Sequence, residues 1–471
     1  MKKKLIAGMI TGVMLLSAVG CTNTSNTGDM SGEADKTAVI EKADTANPEN
    51  NSDSGKIQIR FANWDGGDAL KAYQEICDSF NASQDKIEVT ILNIPEEYST
   101  KITTMAAAGD IPEFCMLDAN EILFPLAEQG YIKNMKELIE NDPGYDESDM
   151  VDTLKAWNGE DFMVGYGAGA QNICMFYNPE LFEKYGVDMP PATYADAWDW
   201  ETFVENAQKL TIDKNGNNAL SAEFDPENID TYGVSANFWW AAWMPFVISA
   251  DGNYLTEDGS SFGMNSPEAV NAMQKLSDLI NVYHVMPKPS ASESLKNTSS
   301  ALATGKVAMV IDGQWTNNTL MADSLKYDVA ALPKIGEKAA TIVTYGVLCV
   351  MDTSKADAAW EFFKYISKCG AAEPLEKSGL WLPTTKTGFS EDYMKSVMTP
   401  QHPEHYYDAI VKPMLDGTAQ PMTSAAVKNF AKINDLFNPV LDKVWNGDSN
   451  YEDAVNSVYE DCNKFVEGWN Y

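Results

Sequence analysis

The feature that most constrains the fold is a repeated alternation of short apolar strand patterns with amphipathic helical patterns, which begins at Ile57. Strand patterns recur at 57–61, 87–91, 114–117, 173–177, 307–311 and 347–351. Helical patterns lie between and after them, at 70–80, 98–108, 121–129, 199–210, 267–283, 358–366, 427–445 and 451–469. This order predicts an α/β layer architecture with parallel strands. Residues 56–471 are too many for one simple core, so we expect two domains.

The N-terminus has the pattern of a secretory signal. Three lysines (residues 2–4) precede an apolar run from Leu5 to Val19 that is too short to span a membrane comfortably, and Ala18, Val19 and Gly20 precede Cys21. Small residues before a cysteine resemble a lipobox, so residues 1–21 are predicted to be a lipoprotein signal peptide with Cys21 lipidated. An ordinary cleaved signal is the alternative. Residues 22–55 have almost no large apolar residues, which predicts a disordered tether.

Charge and composition restrict the partners. The formal net charge of -35 would repel nucleic acid and anionic membrane surfaces, so we predict no nucleic acid and membrane attachment through the N-terminal lipid only. Arg60 is the only arginine, which disfavours a carboxylate or phosphate ligand, although lysines or a helix N-terminus could replace arginine. We expect no cofactor, a monomer, and a location at the outer face of the bacterial cell membrane.

Neither the cysteines nor the histidines predict a metal site. The cysteines after Cys21 are scattered and contain no CxxC, which favours buried free thiols over a disulfide set. His402 and His405 are separated by Pro403 and lack helical ligand spacing, so zinc is not expected. The run from Asp213 to Asn217 imitates a calcium loop without its glycine and terminal glutamate, which favours a plain turn over a calcium site.

Six short motifs, which occur along the chain in the same order as in a known family, carry a resemblance to that family. They are Gly305–Trp315 (GKVAMVIDGQW), Ala107–Glu113 (AAGDIPE), Trp200–Thr211 (WETFVENAQKLT), Tyr232-Gly233, the pair Leu332-Pro333 with Gly346–Leu348, and Ala358–Phe362 (AAWEF). Together they resemble the solute-binding proteins that feed ABC importers, and most closely the maltose-binding-like carbohydrate branch. The resemblance spans about residues 57–469, with Glu113 where the family has aspartate.

This resemblance implies a fold and a mechanism. The family fold is the type II periplasmic-binding-protein fold, in which two α/β lobes enclose a cleft and are joined by a hinge that the chain crosses more than once. By analogy, lobe one would comprise residues 56–166 and 345–398, and lobe two residues 167–344 and 399–471. The hinge would lie at 165–167 and 345–346, and a ligand that contacts both lobes would close the cleft.

A neutral sugar needs aromatic faces and planar polar groups, and the chain offers both near the predicted cleft. The carbohydrate branch uses the tryptophan of the GxW motif to stack on sugar, which assigns that role to Trp315. The other predicted ligand contacts are polar or aromatic residues in loops or at strand and helix ends: Trp64, Asp65, Asp118, Asn120, Trp240, Trp243, Asp312, Tyr345 and Trp381. For each of them a packing or capping role is the alternative.

The main hypothesis is therefore a lipid-anchored, non-enzymatic receptor that captures a neutral carbohydrate and delivers it to a membrane permease. The same fold binding a polyamine, a peptide or another nonsugar solute is the first alternative. A secreted glycoside hydrolase is a further alternative, because a chain with 69 acidic residues contains carboxylate pairs by chance, but no hydrolase motif is present. An adhesive or purely structural lipoprotein would show no response to small ligands.

Overall fold

The computed structural model describes residues 55–291, 295, 298–322 and 325–470. The predicted signal peptide, Cys21 and nearly all of the predicted tether lie outside the described residues. Residues 54–471 form one compact unit. Nothing among the described helices is long and apolar enough to cross a membrane.

The first sheet has six strands in the order β2-β1-β3-β12-β5-β4. Their bounds are β1 Ile57–Asn63, β2 Ile87–Asn93, β3 Phe114–Leu117, β4 Lys155–Trp157, β5 Met163–Gly167 and β12 Val347–Val350. The first three strands are parallel, and β12 is antiparallel to both β3 and β5. All four residues of β3 and of β12 are buried, as expected for strands covered on both faces.

The second sheet has seven strands, six of them in the order β13-β11-β6-β9-β8-β7 with β10 also paired to β6. Their bounds are β6 Gln171–Tyr177, β7 Ile212–Asp213, β8 Ile229–Ala236, β9 Val307–Gly313, β10 Asp328–Ala330, β11 Thr341–Thr344 and β13 Ala419–Gln420. Strands β8 and β9 are parallel, whereas β6 is antiparallel to β9 and to β11.

The helices cover the faces of the two sheets. Before the end of β5 lie α1 Gly67–Ser83, α2 Tyr98–Ala107, α3 Leu123–Glu128 and α4 Met135–Glu140. Between β6 and β11 lie α5 Pro179–Tyr185, α6 Trp200–Leu210, α7 Trp240–Ser249, α8 Pro267–Asn281, α9 Thr298–Ala303 and α10 Trp315–Ala322. After β12 lie α11 Ala356–Ile366, α12 Glu373–Lys377, α13 Glu391–Val397, α14 Lys412–Asp416, α15 Thr423–Ala426, α16 Phe430–Asn446 and α17 Tyr451–Asn463.

The expected parallel strands are present only in part, because both sheets are mixed. The chain passes from the first sheet to the second between β5 and β6, and returns between β11 and β12. Strands β6 and β12 each enter a sheet directly after the chain has crossed from the other sheet, with no helix in between. Each of them pairs antiparallel with its neighbours. The predicted α/β class holds, with two sheets that each carry their own helices.

Several local predictions can be compared with the structure. The predicted N-cap, Asp199, accepts a hydrogen bond from the backbone N–H of Thr202 at 2.8 Å. The last predicted helix is shorter than its pattern and ends at Asn463. The six cysteines after Cys21 are all free thiols, and all but Cys369 are buried.

Candidate functional site

Strand direction brings loops from both sheets to one cavity. Strands β1 and β3 are parallel, so the loops after Asn63 and Leu117 leave the first sheet from the same end of its strands. In the second sheet, the carboxyl ends of β8 and β9 lie beside the start of β6. Clefts at the carboxyl ends of strands are the usual ligand sites of α/β sheets.

A cavity of about 280 Å³, which we call the central cavity, lies at this meeting point. Its lining comes from both sheets and from the segment that joins β11 to β12. The lining residues are Trp64, Asp65, Asp118, Asn120, Gln171, Trp239, Trp240, Trp315, Thr344, Tyr345, Gly346, Leu380, Trp381 and Met422. Five indoles and a phenol therefore share one small space with carboxylates and amides.

The position of Trp315 depends on the glycine two residues before it. A Cβ on Gly313 would lie 2.0 Å from the Trp315 ring, so the indole folds back over the end of β9 only because Gly313 has no side chain. The ring centroid of Trp315 lies 5.7 Å from that of Trp239, and the two rings are tilted against each other. The GxW spacing thus presents a half-buried indole face to the cavity.

Two more indoles are held by close contacts with the surrounding scaffold. A Cβ on Gly169, in the segment between β5 and β6, would lie 2.5 Å from Trp381. Trp64 packs edge to face on Tyr98 at 5.2 Å, and the Tyr98 hydroxyl donates to the Ala62 carbonyl at 3.0 Å. These aromatic walls are therefore held by the scaffold before any ligand arrives.

Two carboxylates line the central cavity. Asp118 Oδ1 accepts hydrogen bonds from both the backbone N–H and the side-chain amide of Asn120, each at 2.6 Å. Asp65 Oδ2 is buried and has no hydrogen-bond partner among the described residues. Burial raises the pKa of Asp65 to about 6 and also raises the pKa of Asp118. A buried acceptor without a partner is rare in folded proteins, and here it lines a cavity.

One hydrogen bond connects the two sides of the cavity directly. The indole N–H of Trp240, at the start of α7, donates to Asn120 Oδ1 at 2.7 Å. Asn120 follows β3 of the first sheet, whereas α7 follows β8 of the second. This contact joins elements of the two sheets across the site.

The comparisons with known proteins identify the family. A family model described as bacterial extracellular solute-binding protein matches residues 75–396, more than half of the chain. This chain belongs to the bacterial extracellular solute-binding proteins.

Its relatives are distant in sequence but similar over most of their length. A binding protein of Brucella abortus is 23% identical over 356 residues, which cover 73% of this chain and 79% of that protein. The structure of an ABC substrate-binding protein from Listeria monocytogenes in complex with cycloalternan has a TM-score of 0.73 and 26% identity, covering 87% of this chain and 98% of that one. A maltose/maltodextrin-binding domain from Bdellovibrio bacteriovorus bound to maltotriose has a TM-score of 0.66 and 17% identity, covering 87% and 99%.

These likenesses establish the fold of this solute-binding protein as the type II periplasmic-binding-protein fold, with two α/β lobes that each contain one of the sheets. The relatives are substrate-binding proteins rather than enzymes, and the family acts outside the cytoplasm.

Two of the predicted contact residues do not line the central cavity of the solute-binding protein. Trp243 is buried and packs against Phe437 at 6.0 Å, because a helix that begins at Trp240 turns position 243 toward the core. Asp312 is 2% exposed and accepts hydrogen bonds from the Thr298 hydroxyl at 2.5 Å and the Gly313 N–H at 2.8 Å. Its carboxylate holds the end of β9.

The structure brings the remaining predicted contacts together: Trp64, Asp65, Asp118, Asn120, Trp240, Trp315, Tyr345 and Trp381. Sequence reasoning did not select Gln171, Trp239, Thr344, Gly346, Leu380 or Met422. Gln171 and Thr344 pair across β6 and β11, so only the antiparallel register places them at the cavity. Trp239 is the residue before α7, so its place at the cavity depends on where that helix begins.

The predicted turn at Asp213 is present. The Asp213 carboxylate accepts hydrogen bonds from the backbone N–H groups of Asn215, Asn217 and Asp225, at 2.8 to 3.0 Å. Its oxygens therefore bind the loop itself. No group of three or more metal-binding side chains occurs in the part of the chain that the structure describes.

Proposed function

We propose that this solute-binding protein captures a neutral carbohydrate, an oligosaccharide, in the cleft between its lobes and delivers it to the permease of an ABC importer. The lobes would be residues 56–166 with 345–398 and residues 167–344 with 399–471. Closure would occur around 165–167 and 345–346, next to the points where the chain passes between the sheets. The observation that carries this proposal is the convergence of five indoles with carboxylate and amide side chains in one cavity.

The chemistry of the cavity suits a sugar. Indole faces pack against the C–H faces of a sugar ring, and ionised carboxylates accept strong hydrogen bonds from hydroxyl groups. Asp65 Oδ2 and the Thr344 hydroxyl are buried and have no hydrogen-bond partner within the described part of the chain, so a ligand hydroxyl could bond to each of them. The Listeria relative, which has 26% identity, was solved with cycloalternan, and this supports a saccharide ligand.

The charge of the cavity argues against an anionic ligand. Among the described residues that line the central cavity there are two aspartates and no lysine, arginine or histidine. Arg60 is engaged elsewhere, because its guanidinium pairs with Asp110 at 2.9 Å and Glu113 at 3.4 Å. A uronic acid or a sugar phosphate would meet the like charge of Asp65 and Asp118 without a compensating cation.

The same two carboxylates make a cationic solute, such as a polyamine, the second candidate. Carboxylates beside indole faces can bind an ammonium group through charge and cation–π contact. We expect a saturable response to neutral sugars and none to aliphatic diamines; the opposite pattern would select the second candidate.

The test is a titration of the purified protein with mono- and oligosaccharides, uronic acids and diamines. Binding is measured by the change in tryptophan fluorescence and in melting temperature. Ligand at one hundred times its dissociation constant should stabilise the protein by about 2.7 kcal/mol. A response to one class of neutral saccharide supports the proposal, whereas no response to any saccharide would refute the carbohydrate assignment.

Attachment to the membrane is a separate part of the proposal. Lipid on Cys21 would hold the protein at the outer face of the membrane and leave the receptor free to find the permease. Mass spectrometry of the protein from the membrane fraction of cells should therefore find acyl chains on Cys21. A Cys21 without acyl chains would refute the lipid anchor.

A further inference from the structure

The segment that carries Trp381 to the central cavity starts on a helix of one lobe and is bound by side chains of the other. We call this segment, Ser378–Leu382, the Trp381 loop. It follows α12, which packs against α1, and α1 in turn covers β2 of the first sheet. At its other end, Leu382 exchanges two backbone hydrogen bonds, of 2.7 and 3.1 Å, with Ala170, just before β6 of the second sheet. The Trp381 loop therefore lies between elements of both lobes.

Amide side chains from the second sheet's lobe donate to successive carbonyl groups of the Trp381 loop. Asn318, on α10, donates to the Ser378 carbonyl at 3.1 Å. Gln171, at the start of β6, donates to the Leu380 carbonyl at 2.8 Å. The carbonyl between them, that of Gly379, accepts longer bonds from two further amides, each at 3.5 Å. The donors are Gln171, Gln314, Asn317 and Asn318, which we call the amide cluster.

The carbonyl groups of the Trp381 loop need donors from outside their own helix. The last carbonyls of a helix have no partner within it, and a buried backbone group without a partner is costly. Leu380 is 8% exposed and Trp381 is 4% exposed, so water has little access to this end of the loop. The amide cluster supplies the missing donors, and it thereby fixes the backbone on both sides of Gly379.

Gly379 allows the loop and the amide cluster to approach closely. Its φ is +73°, in the left-handed region in which glycine commonly ends a helix. A Cβ at this position would lie 2.2 Å from Asn317 Nδ2 and 2.8 Å from Met321 Sδ. The Tyr327 hydroxyl donates to Asn317 Oδ1, which leaves the amide nitrogen of Asn317 directed at the loop.

Helix α10 connects two indoles of the central cavity. It begins at Trp315, which lines the cavity, and its first turn carries Asn317 and Asn318. These two amides bind the loop on which Trp381 lies. The same short helix therefore sets the position of one cavity indole directly and of another through the amide cluster.

We propose that Gln314, Asn317 and Asn318 are positioning residues, which hold the Trp381 indole where it contacts the ligand. None of the three lines the central cavity, so they act on the ligand through the Trp381 loop. Gln171 does line the cavity and is therefore left out of the test. The effect on the ligand rests on the proposed function, whereas the dependence of Trp381 on the amide cluster can be measured without a ligand.

The first test is fluorine NMR of the empty protein labelled with 5-fluorotryptophan. The signal that is lost in Trp381→Phe belongs to Trp381. Asn317→Asp and Asn318→Asp keep the size of each side chain but remove its N–H donor. Together they should shift or broaden the Trp381 signal and leave that of Trp360, which stacks on Phe363 away from the loop, unchanged.

The matched control is Thr319→Ala, an exposed position on α10, which should leave the Trp381 signal as it is. Asn318 is only half-buried, so Asn318→Asp alone keeps the test informative if the double variant does not fold. A Trp381 signal that stays unchanged in every folded variant of the amide cluster would overturn the inference.

The second test is a double-mutant cycle, with cycloalternan and maltotriose as probes and calorimetry as the measurement. In the otherwise unaltered protein, Asn318→Asp should raise the dissociation constant by about fivefold. In the Trp381→Ala background it should have no further effect, because the group that it positions is absent. A merely structural role of Asn318 would weaken binding equally in both backgrounds, and that result would also overturn the inference. If neither probe binds, the fluorine spectra alone decide the inference, and the wider saccharide panel decides the proposed function.

Discussion

At the scale of single residues, the site depends on pairs in which a small residue makes room for a large one. Gly313 leaves space for Trp315, and Gly169 leaves space for Trp381. The GxW spacing therefore has a physical explanation: without a Cβ at the first position, the indole can lie over the strand end with one face free. Neither ring needs to find its position when a ligand arrives, which reduces the entropy cost of binding.

Replacement of this indole should weaken binding severely. We expect Trp315→Ala to raise the dissociation constant by about thirtyfold or more, since loss of a central aromatic contact typically costs at least about 2 kcal/mol. Trp469→Ala is the control, because Trp469 is also half-buried but does not line the central cavity. Fluorescence titration measures both, and equal affinity of the two variants would exclude Trp315 from the contact.

Asp65 should make binding depend on pH. Sugar hydroxyls donate to the ionised carboxylate, so a bound ligand lowers its pKa from about 6, and affinity should fall as pH falls through 6, by up to about tenfold per unit. Asp65→Asn should bind more weakly at pH 7.5 but lose most of this dependence. Calorimetry at pH 5, 6 and 7.5 tests this; an unchanged profile in the variant would assign the titration to another group.

The effect of Asp65 on stability has the opposite sign. Its raised pKa means that the folded protein holds the proton more tightly than the unfolded chain, whose Asp pKa is about 4. The protonated Asp65 therefore contributes its full stabilisation of the folded protein below pH 4, and this stabilisation is lost as the pH rises to about 6. The site keeps a carboxylate that weakens the empty fold at neutral pH, as is common where function requires a buried charge.

At the scale of secondary-structure elements, close packing of α6 on β8 explains another glycine. A Cβ on Gly233 would lie 2.0 Å from the Ala207 carbonyl oxygen. Gly233 lies in β8 and Ala207 in α6, so neither backbone can move away without shifting its whole element. The Tyr232-Gly233 pair therefore marks the strand position over which a helix passes at close range. The end of the same strand carries Trp239 to the cavity, so the packing also positions the site.

Gly233→Ala should consequently destabilise the protein by about 1–3 kcal/mol, the usual range for overpacking. Gly66→Ala is the control, because a Cβ there meets nothing within 4 Å and Gly66 has a negative φ of -121°. That change should alter the free energy of unfolding by less than about 1 kcal/mol, because alanine is a poorer N-cap of α1 but restricts the unfolded chain more than glycine does. Urea unfolding measures both; similar midpoints for the two variants would show that α6 can shift away from β8.

The same scale shows what the sequence could and could not predict. Strands such as Phe114–Leu117 and the N-cap at Asp199 follow from local patterns, because their signals lie within a few residues. The absence of Trp243 from the cavity did not, because three residues on a helix separate a cavity face from a core face only once the start of the helix is known. Gln171 and Thr344 needed the pairing of β6 with β11, a contact between residues far apart in the chain.

At the scale of the whole molecule, the site joins two lobes that otherwise have separate sheets. The Trp240–Asn120 hydrogen bond shows that the two sides approach to direct contact. A ligand in the central cavity would touch the loop after β1, the loop after β3 and the start of α7 simultaneously. It would therefore bind most tightly when the lobes are close, which is the energetic condition for ligand-driven closure.

Ligand binding should thus protect both lobes at once. With ligand at one hundred times its dissociation constant, the added 2.7 kcal/mol should raise the melting temperature by about 3 °C, given roughly 2.1 cal/mol/K of unfolding entropy per residue. Amide hydrogen exchange should slow in residues 64–67 and 118–122 of one lobe and in residues 239–243 of the other. Protection confined to one lobe would place the ligand outside the cleft, because a molecule held by both walls cannot stabilise only one of them.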